Sequence, residues 1–242
     1  MKLGMQTEPP REGPLPGPKK ATPTAARSER APVSAKAAKA VTAGRKARKA
    51  SAPKPSGVQT EVSRGLHADT DRYLRSLIRD VANFPKPGVL YRDMTKLIAT
   101  PRAFHIVLAS LAERFIGEHV DAVVGIEARG FIFGGALAAR LNASFVPARK
   151  PGKLPGAVDR VSYATEHSQA LLEMHRDSIT EGARVLVVDD VLATGGTAEA
   201  ASELVRRQGG AVIACAFAIE LASLLGREKL MPTRVECVVT YG

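Results

Sequence analysis

The sequence holds no tryptophan and only two cysteines in 242 residues, and aromatic residues make up 5% of it. Two cysteines exclude a disulfide scaffold and a four-cysteine zinc site. No run approaches the ~20 consecutive apolar residues of a membrane span. Acids are also in short supply: 24 Asp and Glu stand against 35 Lys and Arg, a formal net charge of +11. An excess of that size ordinarily points to nucleic acid or an anionic membrane surface as partner. That inference requires the charge to be spread over the fold, and it is not.

Residues 1–64 carry 14 of the Lys and Arg but only four of the acids, a balance of +10 that leaves +1 for the other 178 residues. The same stretch holds nine of the 16 prolines and no Phe, Tyr, Trp or Ile. It cannot bury enough apolar area to offset the ordering of its backbone, at ~1–2 kcal/mol per residue. Residues 1–66 therefore read as a disordered basic tail rich in Pro and Ala, and 67–242 as the folded domain. No apolar core follows the first basic residue, so the tail lacks the pattern of a secretory signal. A solvated linker, a start placed too far upstream, an organelle transit peptide and a weak nucleic-acid contact all remain open for it. The expectation is a cytoplasmic protein with no membrane contact, and nucleic acid is not required as a partner.

From about residue 68 the pattern changes. Asp71–Asn83 places Leu74, Leu77, Ile78 and Val81 at helical spacing, and Phe104–Ile116 predicts a second helix entered at Pro101. Then helices and apolar runs alternate. Ala122–Ile126 reads as a buried strand, Phe131–Leu141 as a helix and Ser144–Pro147 as a short strand. Arg184–Asp189 reads as a strand, Thr197–Arg207 as a helix, and Ala211–Ile219 and Val235–Tyr241 as further strands. Continuous apolar strands separated by helices predict an α/β fold with a parallel sheet covered on both faces. Cys215 and Cys237 fall inside strands and read as small core residues. Pro151–Ser168 shows no sustained period and is longer than an ordinary structureless connection.

The most informative stretch is Val185–Thr197, VLVVDDVLATGGT. A buried strand ends in two adjacent acids, and a small-residue loop then opens a helix. In open α/β sheets ligands bind beyond the carboxyl ends of strands. Glycines let the backbone approach a phosphate, and helix N–H groups favour an anion there. The loop lacks the Gly-Lys-Ser/Thr of a Walker motif and the GxGxxG of a dinucleotide fingerprint. Asp189 and Asp190 would repel a phosphate unless they face something else, and vicinal ribose hydroxyls or a divalent cation would suit them. Loop and acids together fit a ribose 5-phosphate.

This string resembles the phosphoribosyl-pyrophosphate signature of the type I phosphoribosyltransferases. Phe84–Met94 (FPKPGVLYRDM), Gly125–Gly134 (GIEARGFIFG), Arg149–Gly156 (RKPGKLPG) and Ser162–Glu166 (SYATE) narrow the resemblance to the adenine phosphoribosyltransferase family, and Gly226–Lys229 also looks like it. Order and spacing agree over about residues 70–242. The resemblance implies the type I phosphoribosyltransferase fold, a mainly parallel sheet flanked by helices with a small hood and a mobile lid loop. It implies purine salvage: adenine and 5-phosphoribosyl 1-pyrophosphate give AMP and pyrophosphate, with Mg²⁺ and in a homodimer.

Residue by residue, it implies that Ala193, Thr194, Gly195, Gly196 and Thr197 hold the 5-phosphate. Asp189 and Asp190 take the ribose hydroxyls, directly or through Mg²⁺. Arg129, Arg149, Lys150 and Lys153 serve the pyrophosphate, with a cis peptide at Glu127–Ala128 and Arg149 reaching a partner subunit. Leu90, Tyr91, Arg92 and Leu221 bind adenine. Glu166, in a lid over 151–168, is the general acid/base. The sequence departs from the family at Pro151, where a third base is commoner, and at His167, where Tyr is commoner. Two rivals remain: a phosphoribosyltransferase for xanthine, hypoxanthine/guanine or orotate, and a non-catalytic phosphoribosyl-pyrophosphate sensor that binds nucleic acid.

Overall fold

The computed structural model describes residues 68–164 and 169–242. The tail, Glu166 and His167 lie outside them. Five strands make one parallel sheet: β3 (Ala122–Ile126), β4 (Ser144–Ala148), β7 (Arg184–Leu192), β8 (Ala211–Leu221) and β9 (Val235–Tyr241), in the order β4-β3-β7-β8-β9. Helices α3 (Pro101–Glu113) and α4 (Gly130–Leu141) pack on one face, and α5 (Gly196–Arg207) packs on the other. Successive strand residues serve opposite faces. Val123, Leu186 and Val188 accordingly join the α3–α4 core, while Val124, Val185 and Val187 join the α5 core. That two-sided burial is why these strands read as unbroken apolar runs. The chain leaves β3 for β4 on one side and returns to β7 on the other, so the topological switch point lies between β3 and β7.

Two small antiparallel hairpins stand apart from this sheet. β1 (Arg79–Ala82) pairs with β2 (Leu90–Asp93), and β5 (Val158–Ala164) pairs with β6 (Gln169–His175). Both correct the sequence reading. The first helix, α1, covers 68–76, so it does not run on to Asn83. Leu74, Leu77 and Ile78 are buried as their spacing implies, but Val81 is exposed and faces Tyr91 across the hairpin. The directly opposed pairs Arg79–Asp93 and Asp80–Arg92 are both ion pairs, a cross-strand device that helical spacing cannot reveal. Within 151–168, where no period was evident, β5 occupies Val158–Ala164. Only Val161 of that strand is buried, so its alternation is weak. A one-and-a-half-turn helix, α2 (Thr95–Ala99), was also not foreseen.

The remaining differences are at ends. Helix α3 begins at Pro101, suited to a first helical position, and stops before the exposed Ile116. Strand β7 continues through both acids to Leu192, because Val191 and Leu192 still pair with Ile219 and Glu220 of β8. Cys215 is fully buried and Cys237 partly so. Burial pushes their thiols up to about 11 and about 12, which suits core residues rather than nucleophiles. Among the described residues no helix is long and apolar enough to cross a membrane.

One ion pair built on a buried carboxylate ties the end of the sheet together. Glu220 on β8 accepts both branches of Arg227, on the short helix α6 (Gly226–Lys229), at 2.9 and 2.7 Å. Arg227 also donates to the Val235 carbonyl at 2.8 Å. These bonds hold the Glu220 carboxyl below its usual range in spite of burial. With a depressed folded pKa, the unfolded chain takes up the proton first as pH falls. The stabilisation is therefore complete above the ordinary glutamate pKa and is lost as pH drops through the folded one. Arg227→Met should cost about 1–2 kcal/mol near neutrality, toward the low end because Arg227 is half exposed. Urea unfolding across an acid pH series checks this: the gap from wild type should narrow as Glu220 protonates.

Candidate active site

Most of the residues singled out from the sequence gather near the ends of the parallel strands. After β3 come Glu127, Ala128, Arg129 and Gly130, with the Glu127–Ala128 bond cis as the resemblance implied. After β4 come Arg149, Lys150 and Lys153; after β7, the loop Ala193–Gly195; after β8, the turn at Ala222–Leu224. A parallel sheet opens a ligand crevice at its switch point, on the carboxyl side. Here that crevice is spanned by one ion pair, from Arg129 beyond β3 to Asp190 of β7.

Strand β7 ends in a loop that turns directly into α5. Gly195 sits at the helix N-cap with φ 79, a left-handed conformation that costs glycine little, and no side chain caps the helix. The first-turn N–H groups are thus left for a ligand. Residues Ala193–Ala198, with Asp189 and Phe217, line a cup of about 70 Å³. Gly226 presses on this loop from behind. A Cβ there would lie 2.1 Å from the Ala193 carbonyl oxygen, and one at Gly195 would lie 2.6 Å from the Gly226 carbonyl oxygen.

The two adjacent acids do different things. Asp189 lines the cup, and its Oδ1 accepts the Asp190 N–H at 2.8 Å. Burial and the Asp190 carboxylate push the Asp189 carboxyl well above its usual range. Asp190 is buried, and its Oδ2 is held by Arg129 Nε in an ion pair. Two adjacent acids thus share a single guanidinium, an arrangement that suits a cation or hydroxyl donors arriving with a ligand. Among the described residues no group of three or more His, Cys, Asp or Glu is disposed to cage a metal.

A larger cavity, about 500 Å³, lies beside the cup and shares Val191 and Ala193 with it. It brings together Leu90, Tyr91, Arg92 and Leu221, all singled out from the sequence, with Arg129 at its edge. Arg129 donates to the Tyr91 hydroxyl, so a single guanidinium joins the aromatic wall to the acid. Arg92 lines the cavity, but its guanidinium is engaged by Asp80 and by the Tyr241 ring. Tyr241, Ser223 and Leu224 also line the space, and none was foreseen. Tyr241 was within reach of the same topological rule, because it closes the last parallel strand at its carboxyl end.

The basic residues after β4 are organised by two acids. Glu127 accepts the Arg149 guanidinium at 3.3 Å through each oxygen and the Lys150 N–H at 2.9 Å. Burial opposes its ionisation, but these donors outweigh burial and hold its pKa below the usual value. Glu173, 1% exposed, accepts the Gly152 N–H at 3.0 Å and Arg160 at 2.6 Å, while its backbone bridges to Arg149. Lys150 and Lys153 extend into solvent. Arg149 is satisfied within its own chain by Glu127 and the Lys153 carbonyl.

Comparison with known proteins follows the same lines. Residues 96–240 match the phosphoribosyl transferase domain family. An adenine phosphoribosyltransferase of Sorangium cellulosum is 66% identical over 159 residues, covering 66% of this chain and 80% of that protein. One from Acidobacterium capsulatum is 51% identical, covering 69% and 93%. Among solved structures, adenine phosphoribosyltransferase from Rhodothermus marinus superposes with a TM-score of 0.69 at 46% identity, over 72% of this chain and 99% of that one. The Saccharomyces cerevisiae enzyme, solved with an imino-altritol bisphosphate and adenine, gives 0.67 at 36% identity, over 71% and 99%.

Proposed function

This chain belongs to the phosphoribosyl transferase family, among its adenine phosphoribosyltransferases, and on that premise we propose how its cleft carries out the reaction. Adenine and 5-phosphoribosyl 1-pyrophosphate are converted to AMP and pyrophosphate. The observation that carries the assignment of residues is the pair of hollows sharing Val191 and Ala193. A ligand with a base in one and a phosphate in the other must place its ribose between them, against Asp189 and Asp190.

Ala193–Thr197 and the uncapped start of α5 receive the 5-phosphate through backbone N–H groups, with Thr194 and Thr197 adding hydroxyls. Tyr91 stacks on adenine, Leu221 covers its other face, and the strand backbone at Leu90 meets its edge. Arg92 acts by fixing that strand, since its guanidinium is committed elsewhere. Arg129, Arg149, Lys150 and Lys153 neutralise the pyrophosphate, with Glu127 orienting Arg149. As C1 loses pyrophosphate it gains oxocarbenium character, and the Asp190 carboxylate, with Asp189 beside it, stabilises the positive charge. Glu166 takes the N9 proton of adenine as the new bond forms.

The mutual repulsion of the adjacent acids Asp189 and Asp190 fits a divalent ion brought in with the substrate. Mg²⁺ bound there would neutralise pyrophosphate charge and ease its departure, keeping few protein ligands as Mg²⁺ does with phosphates. Homodimerisation and a cytoplasmic location complete the reading, and the exposed Ile132 of α4 and Phe145 of β4 are suited to cover by a second copy.

The test is AMP formation from adenine and phosphoribosyl pyrophosphate, with and without Mg²⁺, on wild type and Glu166→Ala. Loss of the acid/base should lower kcat about 10²–10⁴-fold. A Glu166→Ala enzyme at full kcat would remove Glu166 from the mechanism, and turnover of hypoxanthine instead of adenine would overturn the choice of base.

A further inference from the structure

The hairpin β1–β2 carries Leu90, Tyr91 and Arg92 to the cavity, yet it shares no ladder with the five-stranded sheet. An isolated two-stranded hairpin is marginal in water, so something else must hold it in place. Part of the answer is an aromatic ring approached by two cations. The Arg92 guanidinium, from β2, lies 4.1 Å from the centre of the Tyr241 ring, and that of Arg75, from α1, lies 4.5 Å from it. Each cation is fixed from outside the stack. Arg92 pairs with Asp80, and Arg75 donates to Asp71 and to the Thr240 carbonyl, both at 2.6 Å. A guanidinium over an aromatic face is attracted by the ring quadrupole, more strongly where water is excluded. Tyr241 is half-buried at the end of β9, and it lines the same cavity as Tyr91 and Leu221.

We propose that Tyr241 is a positioning residue for the nucleobase: its stack with Arg92 anchors the Leu90–Arg92 strand to the sheet and its ring closes one side of the adenine cavity. The inference rests on the assignment of that cavity to adenine. It assigns β9 a part in base recognition and gives Arg92, whose guanidinium is committed to Asp80 and the Tyr241 ring, a part through that stack. Tyr241 does not line the phosphate cup, so the effect should be confined to one substrate.

The experiment is steady-state kinetics with each substrate varied in turn, on Tyr241→Leu, Tyr241→Phe and Tyr91→Ala. Tyr241→Leu keeps apolar bulk but removes the ring face. It should raise the KM for adenine about tenfold, a loss of the order of one desolvated cation–π contact, while the KM for phosphoribosyl pyrophosphate stays within twofold. Tyr241→Phe restores the ring and should bring the adenine KM back to within about threefold of wild type. An unchanged adenine KM in Tyr241→Leu, or an equal rise in both KM values with a fall in melting temperature, would overturn the proposal. Tyr91→Ala separates the two levels. If it raises the adenine KM while Tyr241→Leu does not, only the role of Tyr241 fails. If it leaves the adenine KM unchanged, the assignment of the cavity fails.

Discussion

Gly226→Ala will raise the KM for phosphoribosyl pyrophosphate by about 10–100-fold, the range expected when ~1–3 kcal/mol of overpacking falls on a binding loop. The reason is geometric. An added Cβ would lie 2.1 Å from the Ala193 carbonyl oxygen and 2.9 Å from Leu192 Cδ1. The first neighbour is backbone and cannot rotate away. The turn cannot retreat easily either, because Arg227, the next residue, is clamped to Glu220 and to the Val235 carbonyl. The loop Ala193–Thr197 must therefore move, and it holds the 5-phosphate in the proposed assignment. Gly135→Ala is the control. A Cβ there meets nothing within 4 Å, and the residue lies inside α4, where alanine is favoured over glycine by ~1 kcal/mol. Its kinetics should match wild type and its melting temperature should not fall. A Gly226→Ala enzyme with an unchanged KM for phosphoribosyl pyrophosphate would show that the loop is not held from behind.

That contact is of a kind the sequence conceals. Gly226 could be noticed as part of a motif, but its packing on a loop 31 residues earlier is a property of the folded backbone. What was legible had a local cause. Val185–Val188 is apolar because both faces of β7 are covered, and the Gly195–Gly196 step marks where the backbone must turn into α5. The strand β3, buried at every residue, could be read to the residue for the same reason. What was missed depends on distant partners. Val81 continues the helical spacing of Leu74, Leu77 and Ile78, and only its pairing with Tyr91 makes it a strand residue. Val158–Ala164 has one buried side chain and gives no alternation until β6 lies beside it. The site divides in the same way. Residue types pointed to Asp189, Asp190, Arg129, Tyr91 and Leu221, whereas the pairings of Arg129 with Asp190 and of Arg92 with Tyr241 required the fold.

The pairing across the crevice leads to the other large effect. Asp190→Asn will lower kcat about 10²–10³-fold, the usual cost of removing a preorganised group aimed at transition-state charge. Asparagine keeps the shape of the side chain, so the cavity should persist and the loss should reflect charge. The fall should appear in kcat more than in either KM, because the ribosyl cation develops only as the bond to pyrophosphate breaks. Arg129 sharpens the test. It is shared between Asp190 and the Tyr91 hydroxyl, so its position depends on the carboxylate that is being removed. Arg129→Gln alone should weaken binding of phosphoribosyl pyrophosphate, and the same change in an Asp190→Asn background should cost much less. A double-mutant cycle on kcat/KM should give a coupling of about 1–3 kcal/mol, as for contacting charged groups in one network. Effects that add to within ~0.5 kcal/mol would mean that the two residues act independently. The ion pair would then have no share in holding the substrate across the switch point.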